Sequence, residues 1–303
     1  MYNMDKLFAA VAGRGHVCVG LDTSVDYIPG RERRGASSGA QAALLFNRAL
    51  IDATADVAAC FKVQIACYEE MGLAGLTAYA ETLRYIRRKG SLVIADVKRG
   101  DIADTALRYA RAHFDGDFEA DFVTLSPYMG MDSIEPWLSW ADSKGKGAFV
   151  LMRTSNGGMR DFEYLELDGG KTGRRVYDAV GERLLAMAAA KRGRCGYGAF
   201  GAVVGCTERE EAAAIRKRYG GLFFLIPGYG AQGGAAGDAA LLLEGGNGGV
   251  VNASRSILTA WKALAADGGR AEEADNAFAA EAARGAAVKM RDDIRAALNG
   301  TVR

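Results

Sequence analysis

Asp96, Lys98 and Asp101 stand in an Asp-x-Lys-x-x-Asp spacing within the run Ile94-Ala95-Asp96-Val97-Lys98-Arg99-Gly100-Asp101-Ile102, directly after an apolar stretch. A lysine held between carboxylates stays protonated and keeps its ammonium aimed. The chemistry to expect is therefore stabilisation of a developing anion, followed by delivery of a proton. If residues 91–98 are extended, Ile94, Asp96 and Lys98 share one face and Val93, Ala95 and Val97 the other. Buried charge persists only when it is paired or serves a site, and a salt bridge capping a strand end would explain the same residues. A second ammonium, Lys62, lies inside the strand-like run Phe61-Lys62-Val63-Gln64-Ile65, and Asp22 follows Val19-Gly20-Leu21.

Two glycine- and hydroxyl-rich segments could receive an anion. Pro227-Gly228-Tyr229-Gly230-Ala231-Gln232-Gly233-Gly234 exposes backbone N–H groups and carries the Gln232 amide, and Asn252-Ala253-Ser254-Arg255-Ser256 adds the Arg255 fork. A flexible surface loop beside an exposed arginine is the plainer account of each alone. In Arg153-Thr154-Ser155-Asn156-Gly157-Gly158 the hydroxyls of Thr154 and Ser155 suit the edge of a heterocycle, and helix capping explains them nearly as well. Ser126-Pro127-Tyr128 marks little more than a loop start.

Composition narrows the classes. Net charge is +1 with acids and bases interspersed, so the basic footprint of a nucleic-acid binder is missing. No run approaches the roughly 20 apolar residues that span a bilayer, and a cytoplasmic protein is expected. The five cysteines (Cys18, Cys60, Cys67, Cys195 and Cys206) lack metal-type spacing and read as reduced thiols in a core. The two histidines, His16 and His113, sit near no nucleophile motif, which leaves acid–base work to Lys and Asp.

Positioning these residues takes a scaffold that gathers strand ends. Strand-length apolar runs alternate with Ala-rich helical stretches through all 303 residues. The expected strands are 16–21, 60–65, 92–97, 122–125, 148–152, 199–204, 222–226 and 249–252. Helices are expected at 42–57, 73–88, 105–113, 133–141, 175–191 and 208–218. Eight such units predict a (β/α)8 TIM barrel, one α/β domain over residues 1–303. Its active site belongs at the carboxyl ends of the strands, where Asp22, Lys62, Asp96, Lys98, Thr154, Gln232 and Arg255 cluster. A last amphipathic helix, about 271–300, is expected outside the barrel, and the Gly-rich stretch 228–249 as its loosest part.

The ordered set Gly20-Leu21-Asp22, Phe61-Lys62-Val63-Gln64-Ile65-Ala66, Asp96 to Ile102, Arg153-Thr154-Ser155-Asn156, Pro227 to Gly234 and Ser254-Arg255-Ser256-Ile257 resembles the orotidine 5'-phosphate decarboxylase family, in its longer (type 2) subgroup. The resemblance covers nearly the whole chain. It implies a carboxy-lyase that converts orotidine 5'-monophosphate to uridine 5'-monophosphate without metal or cofactor, in the last step of pyrimidine synthesis. It implies a Lys62-Asp96-Lys98-Asp101 catalytic array in which Lys98 donates the proton. Asp22 and Lys62 would hold the ribose, Thr154 or Ser155 the pyrimidine, and Gln232 and Arg255 the phosphate, with Gln64, Pro227 and Gly228 also at the substrate. A homodimer is implied, with Asp101 and Thr105 reaching the partner's site. Ser126 stands where the subgroup has asparagine, so the part this loop plays in base recognition is open. Rival readings are a metal-dependent sugar-phosphate decarboxylase or synthase on the same barrel and a non-catalytic nucleotide-binding barrel.

Overall fold

The apolar, β-branched runs form eight parallel strands that close into a barrel in chain order. They are β1 (Val17–Gly20), β2 (Cys60–Gln64), β3 (Leu92–Arg99), β4 (Phe122–Leu125), β5 (Gly147–Arg153), β6 (Phe200–Val204), β7 (Phe224–Ile226) and β8 (Gly249–Ala253). The β1–β8 pairing, Val17 opposite Val251, closes the ring. This computed structural model describes residues 1–230, 233–268 and 273–301, with only the backbone of Thr301.

Strand alternation sorts the side chains into two cores. Val17, Val19, Phe61, Val63, Val93, Ala95 and Val123 point outward and pack with the surrounding helices. Cys18, Cys60, Leu92, Ile94, Phe122, Phe149, Phe223 and Val250 point inward and fill the barrel. Helix Asn3–Arg14 closes the floor, burying Met4, Leu7 and Val11 against this inner set. With the amino-terminal end plugged by apolar side chains, the polar residues at the carboxyl ends have the other mouth to themselves.

Helices Gly39–Thr54, Gly72–Arg88, Ala103–Phe114, Val176–Ala190 and Arg209–Arg218 follow the expected pattern with shifted ends. The helix expected over 133–141 is instead two 3-10 turns, Met131–Ser133 and Glu135–Trp137, running into a short helix Leu138–Lys144. Pro136, which has no N–H to give, sits in the second turn and delays the α-helix. The last helix spans Asn276–Thr301 and packs on helices Gly39–Thr54, Ala236–Ala240 and Ala260–Asp267. Its start is set by Asp275, whose Oδ1 accepts the N–H of Phe278 at 2.8 Å, later than the expected start near residue 271. The stretch 228–249 is not loop throughout, since helix Ala236–Ala240 lies within it. The five cysteines are free thiols; Cys18, Cys60 and Cys206 are buried, and Cys67 and Cys195 are partly so.

Candidate active site

Asp96 occupies an inward position of β3, level with Gln64 of β2, and its carboxylate accepts four hydrogen bonds. Oδ2 receives Lys62 Nζ at 2.9 Å and Gln64 Nε2 at 3.1 Å. Oδ1 receives Lys98 Nζ at 2.6 Å and Thr124 Oγ1 at 2.9 Å. Both oxygens are thus saturated by donors, a setting that only the ionised carboxylate satisfies. Lys62 Nζ also donates to Asp22 Oδ1 at 2.9 Å, and Asp22 Oδ2 accepts Ser254 Oγ at 2.8 Å. One polar chain therefore crosses the barrel mouth from β8 through Asp22 and Lys62 to Asp96 and Lys98.

The charges in this chain fix one another. Burial disfavours the Lys62 ammonium, whose side chain is 5 % exposed, but the Asp22 and Asp96 carboxylates outweigh it and hold the lysine well above its ordinary range. Burial likewise opposes the Asp96 carboxylate, and the Lys62 and Lys98 ammoniums with their hydrogen bonds hold it well below its ordinary value. Lys98 differs, for its side chain is 49 % exposed and it lines the open cavity. It is the member of the array that is both oriented and accessible.

The cavity above the array has a volume of about 500 Å³. Its walls carry Thr154, Ser155 and Asn156 after β5, Pro227, Gly228 and Tyr229 after β7, and Arg255 after β8. Gly228 takes a φ of 104°, which a side chain would strain, and so the β7 loop turns tightly over the opening. Thr154 is held from behind: its N–H donates to Glu163 Oε2 at 2.8 Å, and its Oγ1 lies 2.7 Å from Glu163 Oε1. A mouth with ammoniums at its base and glycines and an arginine on one wall suits a phosphorylated, anionic small molecule.

Residues 15–266 match the family model described as orotidine 5'-phosphate decarboxylase / HUMPS family. The chain belongs to the orotidine 5'-phosphate decarboxylase family. It is 55 % identical over 294 residues to the orotidine 5'-phosphate decarboxylase of Clostridium perfringens (strain SM101 / Type A), covering 97 % of this chain and 98 % of that one. With the enzyme of that name from Clostridium tetani (strain Massachusetts / E88) identity is 52 % over 296 residues, covering 98 % and 99 %. The solved Leishmania donovani OMP decarboxylase superposes with a TM-score of 0.74 at 32 % identity, covering 99 % of both chains. The decarboxylase family's reaction, loss of carbon dioxide from orotidine 5'-monophosphate to give uridine 5'-monophosphate in pyrimidine biosynthesis, is the activity of this chain.

Set against this decarboxylase barrel, the sequence-derived residues divide into three groups. Asp22, Lys62, Gln64, Asp96, Lys98, Thr154, Ser155, Pro227, Gly228 and Arg255 all line the one cavity. Gln64, expected to touch substrate, also braces Asp96. Asp101 and Thr105 are not on that cavity's wall; Asp101 accepts the N–H of Ile102 at 2.9 Å and Thr105 is exposed. Gln232 lies outside the described residues. Ser126 is not on the cavity wall either, its N–H donating to the Arg99 carbonyl at 2.7 Å. The simple alternation expected through residue 98 fails at its end, since Lys98 has a φ of 45° and leaves the extended conformation. Thr124, which also lines the cavity, belonged to no expected motif, whereas Asn252 and Ser254 stood in the segment expected to receive an anion and line the cavity as well. The available signal was a polar side chain at an inward position of an otherwise apolar strand, as in Phe122-Val123-Thr124-Leu125.

Proposed function

We propose that Lys98 stabilises the carbanion left at C6 of the pyrimidine when carbon dioxide departs, and then protonates it. The observation that carries this reading is the accessible Lys98 ammonium 2.6 Å from a carboxylate that three other donors lock in place. Proton donation contributes about 10²- to 10⁴-fold, so the greater part of the acceleration comes from preorganised charge and from binding energy of the remote phosphate and ribose. In this reading Asp22 and Lys62 take the ribose hydroxyls, Thr154 or Ser155 the pyrimidine edge, and Arg255 with the Gly228 turn the phosphate, all of which share the lining of one cavity. A divalent cation at Asp96 would have to displace two ammoniums, which favours this reading over a metal-dependent sugar-phosphate enzyme. Decay of orotate-ring absorbance with purified protein in EDTA tests it. Turnover is expected in the wild type and loss of it in Lys98→Ala; retained turnover in that variant removes Lys98 from the mechanism.

The single domain of residues 1–303 is read as one half of a homodimer acting in the cytoplasm. Among the described residues no helix is long and apolar enough to cross a membrane. In support of the dimer, Asp101 and Thr105 follow β3 in the chain without lining their own cavity, and the exposed apolar Ile102 lies between them in sequence. Chains carrying Asp101→Ala mixed with chains carrying Lys62→Ala should regain a minority of intact sites. No recovery after confirmed subunit exchange refutes a shared site.

A further inference from the structure

The β3–β4 ladder is irregular at the point where the chemistry sits. Ala95 pairs with Val123 and the next pair is Arg99 with Leu125, so Asp96, Val97 and Lys98 together face the single residue Thr124. Two surplus residues bulge out of β3, and their N–H groups lose the carbonyl acceptors a regular ladder would give them. Thr124 supplies the substitute. Its Oγ1 accepts the N–H of Val97 at 3.0 Å and that of Lys98 at 2.9 Å. With both lone pairs taken, the hydroxyl has only its proton left to offer, and that goes to Asp96 Oδ1 at 2.9 Å.

The same bulge holds Lys98 at φ 45°, in the left-handed region that a residue with a Cβ rarely adopts. Such strain persists only where the surroundings over-determine it, and the Lys98 N–H bond to Thr124 is one of the restraints. One buried oxygen therefore grips Lys98 twice. It fixes the strained backbone directly, and it fixes the ammonium through the Asp96 oxygen that both groups share. We infer that Thr124 is a positioning residue for the decarboxylation: its hydroxyl sets the bulge that aims Lys98 into the cavity and orients the carboxylate that holds the Lys98 ammonium.

The inference rests on the reading of Lys98 as the proton donor, and the test separates the two. Thr124→Val keeps the β-branched shape and deletes the hydroxyl, whereas Thr124→Ser keeps the hydroxyl. A misplaced reacting group costs on the order of 10²-fold in rate, so kcat of Thr124→Val should fall by about that factor while KM changes by less than about threefold. Thr124→Ser should recover most of the rate. A role confined to stability would lower the melting temperature and leave kcat in place, and that result overturns the inference. If Thr124→Val does not fold, Thr124→Ala takes its place, and a kcat equal to that of Thr124→Ser overturns the inference equally. Lys98→Ala, run alongside, reports on the underlying reading: its inactivity with a normal Thr124→Val refutes the role of Thr124 alone, and its activity refutes the proton-donor assignment.

Discussion

Replacing Asp96 by Asn removes one charge at constant shape, and the cost can be worked from the hydrogen bonds around it. The carboxylate takes four donors on two oxygens, and an amide offers one accepting oxygen and a donor NH₂. Whichever way the amide turns, its NH₂ meets either Lys62 and Gln64 or Lys98 and Thr124, so two bonds become donor–donor contacts. With the NH₂ in the Oδ2 position, Lys62, 5 % exposed, is left with Asp22 alone; with it in the Oδ1 position, Lys62 keeps only a neutral amide oxygen in place of a carboxylate. Removing one partner of a buried ion pair costs about 3–5 kcal/mol, and the half-exposed Lys98 adds little because solvent screens it. For a chain of this length that loss corresponds to a melting temperature lower by roughly 5–8 °C. Asp96 keeps its charge to well below its ordinary pKa of 3.8, so its contribution is present above pH 3.8 and is lost as pH falls through the depressed value. A comparison at a pH of about 7.5 therefore sees all of it. Lys98 also loses the group that orients it, and removing one preorganised electrostatic partner costs about 10²- to 10³-fold in kcat. Thermal unfolding measured by circular dichroism and orotate-absorbance kinetics read the two effects. A variant that melts within about 1 °C of wild type and keeps kcat within about tenfold would refute the account of Asp96 as the hub of the array.

Two further outcomes are expected at positions other than Asp96. In Gly20→Ala the new Cβ would lie 2.0 Å from Ser254 Oγ and 2.9 Å from Asn252 Oδ1, so Ser254 must release Asp22; a stability loss of about 1–3 kcal/mol with a raised KM is expected, and a variant unchanged in both melting and KM refutes it. His16 and His113 are pushed down to about 4, in both cases chiefly by burial, from an ordinary 6.5. Both stay neutral in the folded chain while the unfolded chain takes up protons, so their contribution is complete above pH 6.5 and is lost as pH falls toward 4. Each gives up about 3 kcal/mol across that window. Urea midpoints of wild type should fall between about pH 7 and about pH 4.5 more steeply than those of a His16→Gln, His113→Gln double variant, and parallel curves would refute the assignment.

Much of the barrel could be read from the chain because its signals are local. An apolar run such as Phe122–Leu125 must be buried on both faces, and the β4 limits expected and observed are the same. Charged residues at the carboxyl ends of such runs have nowhere to go but the mouth, and for this reason Asp22, Lys62, Asp96, Lys98 and Arg255 were found to share one cavity. The misses are non-local. Helix Asn3–Arg14 shows its purpose only when Met4, Leu7 and Val11 meet the floor of a closed barrel. The delayed helix after Pro136 is the exception, a local effect of a residue without an N–H that a count of apolar periodicity does not register.

The order of residues along the chain is enough to say which of them can carry the charge, how the strands present them in turn, and to which family that order belongs. The register between β3 and β4, in which three residues face one, comes into being only when the strands pair. Register depends on how two separate strands pair, and no pattern within either strand encodes the surplus. That pairing gives Thr124 two backbone N–H groups and a carboxylate to hold, and gives Lys98 a left-handed backbone that its own sequence disfavours. The residue type at position 98 is legible in one dimension; the direction in which its ammonium points is set by a hydroxyl on the neighbouring strand.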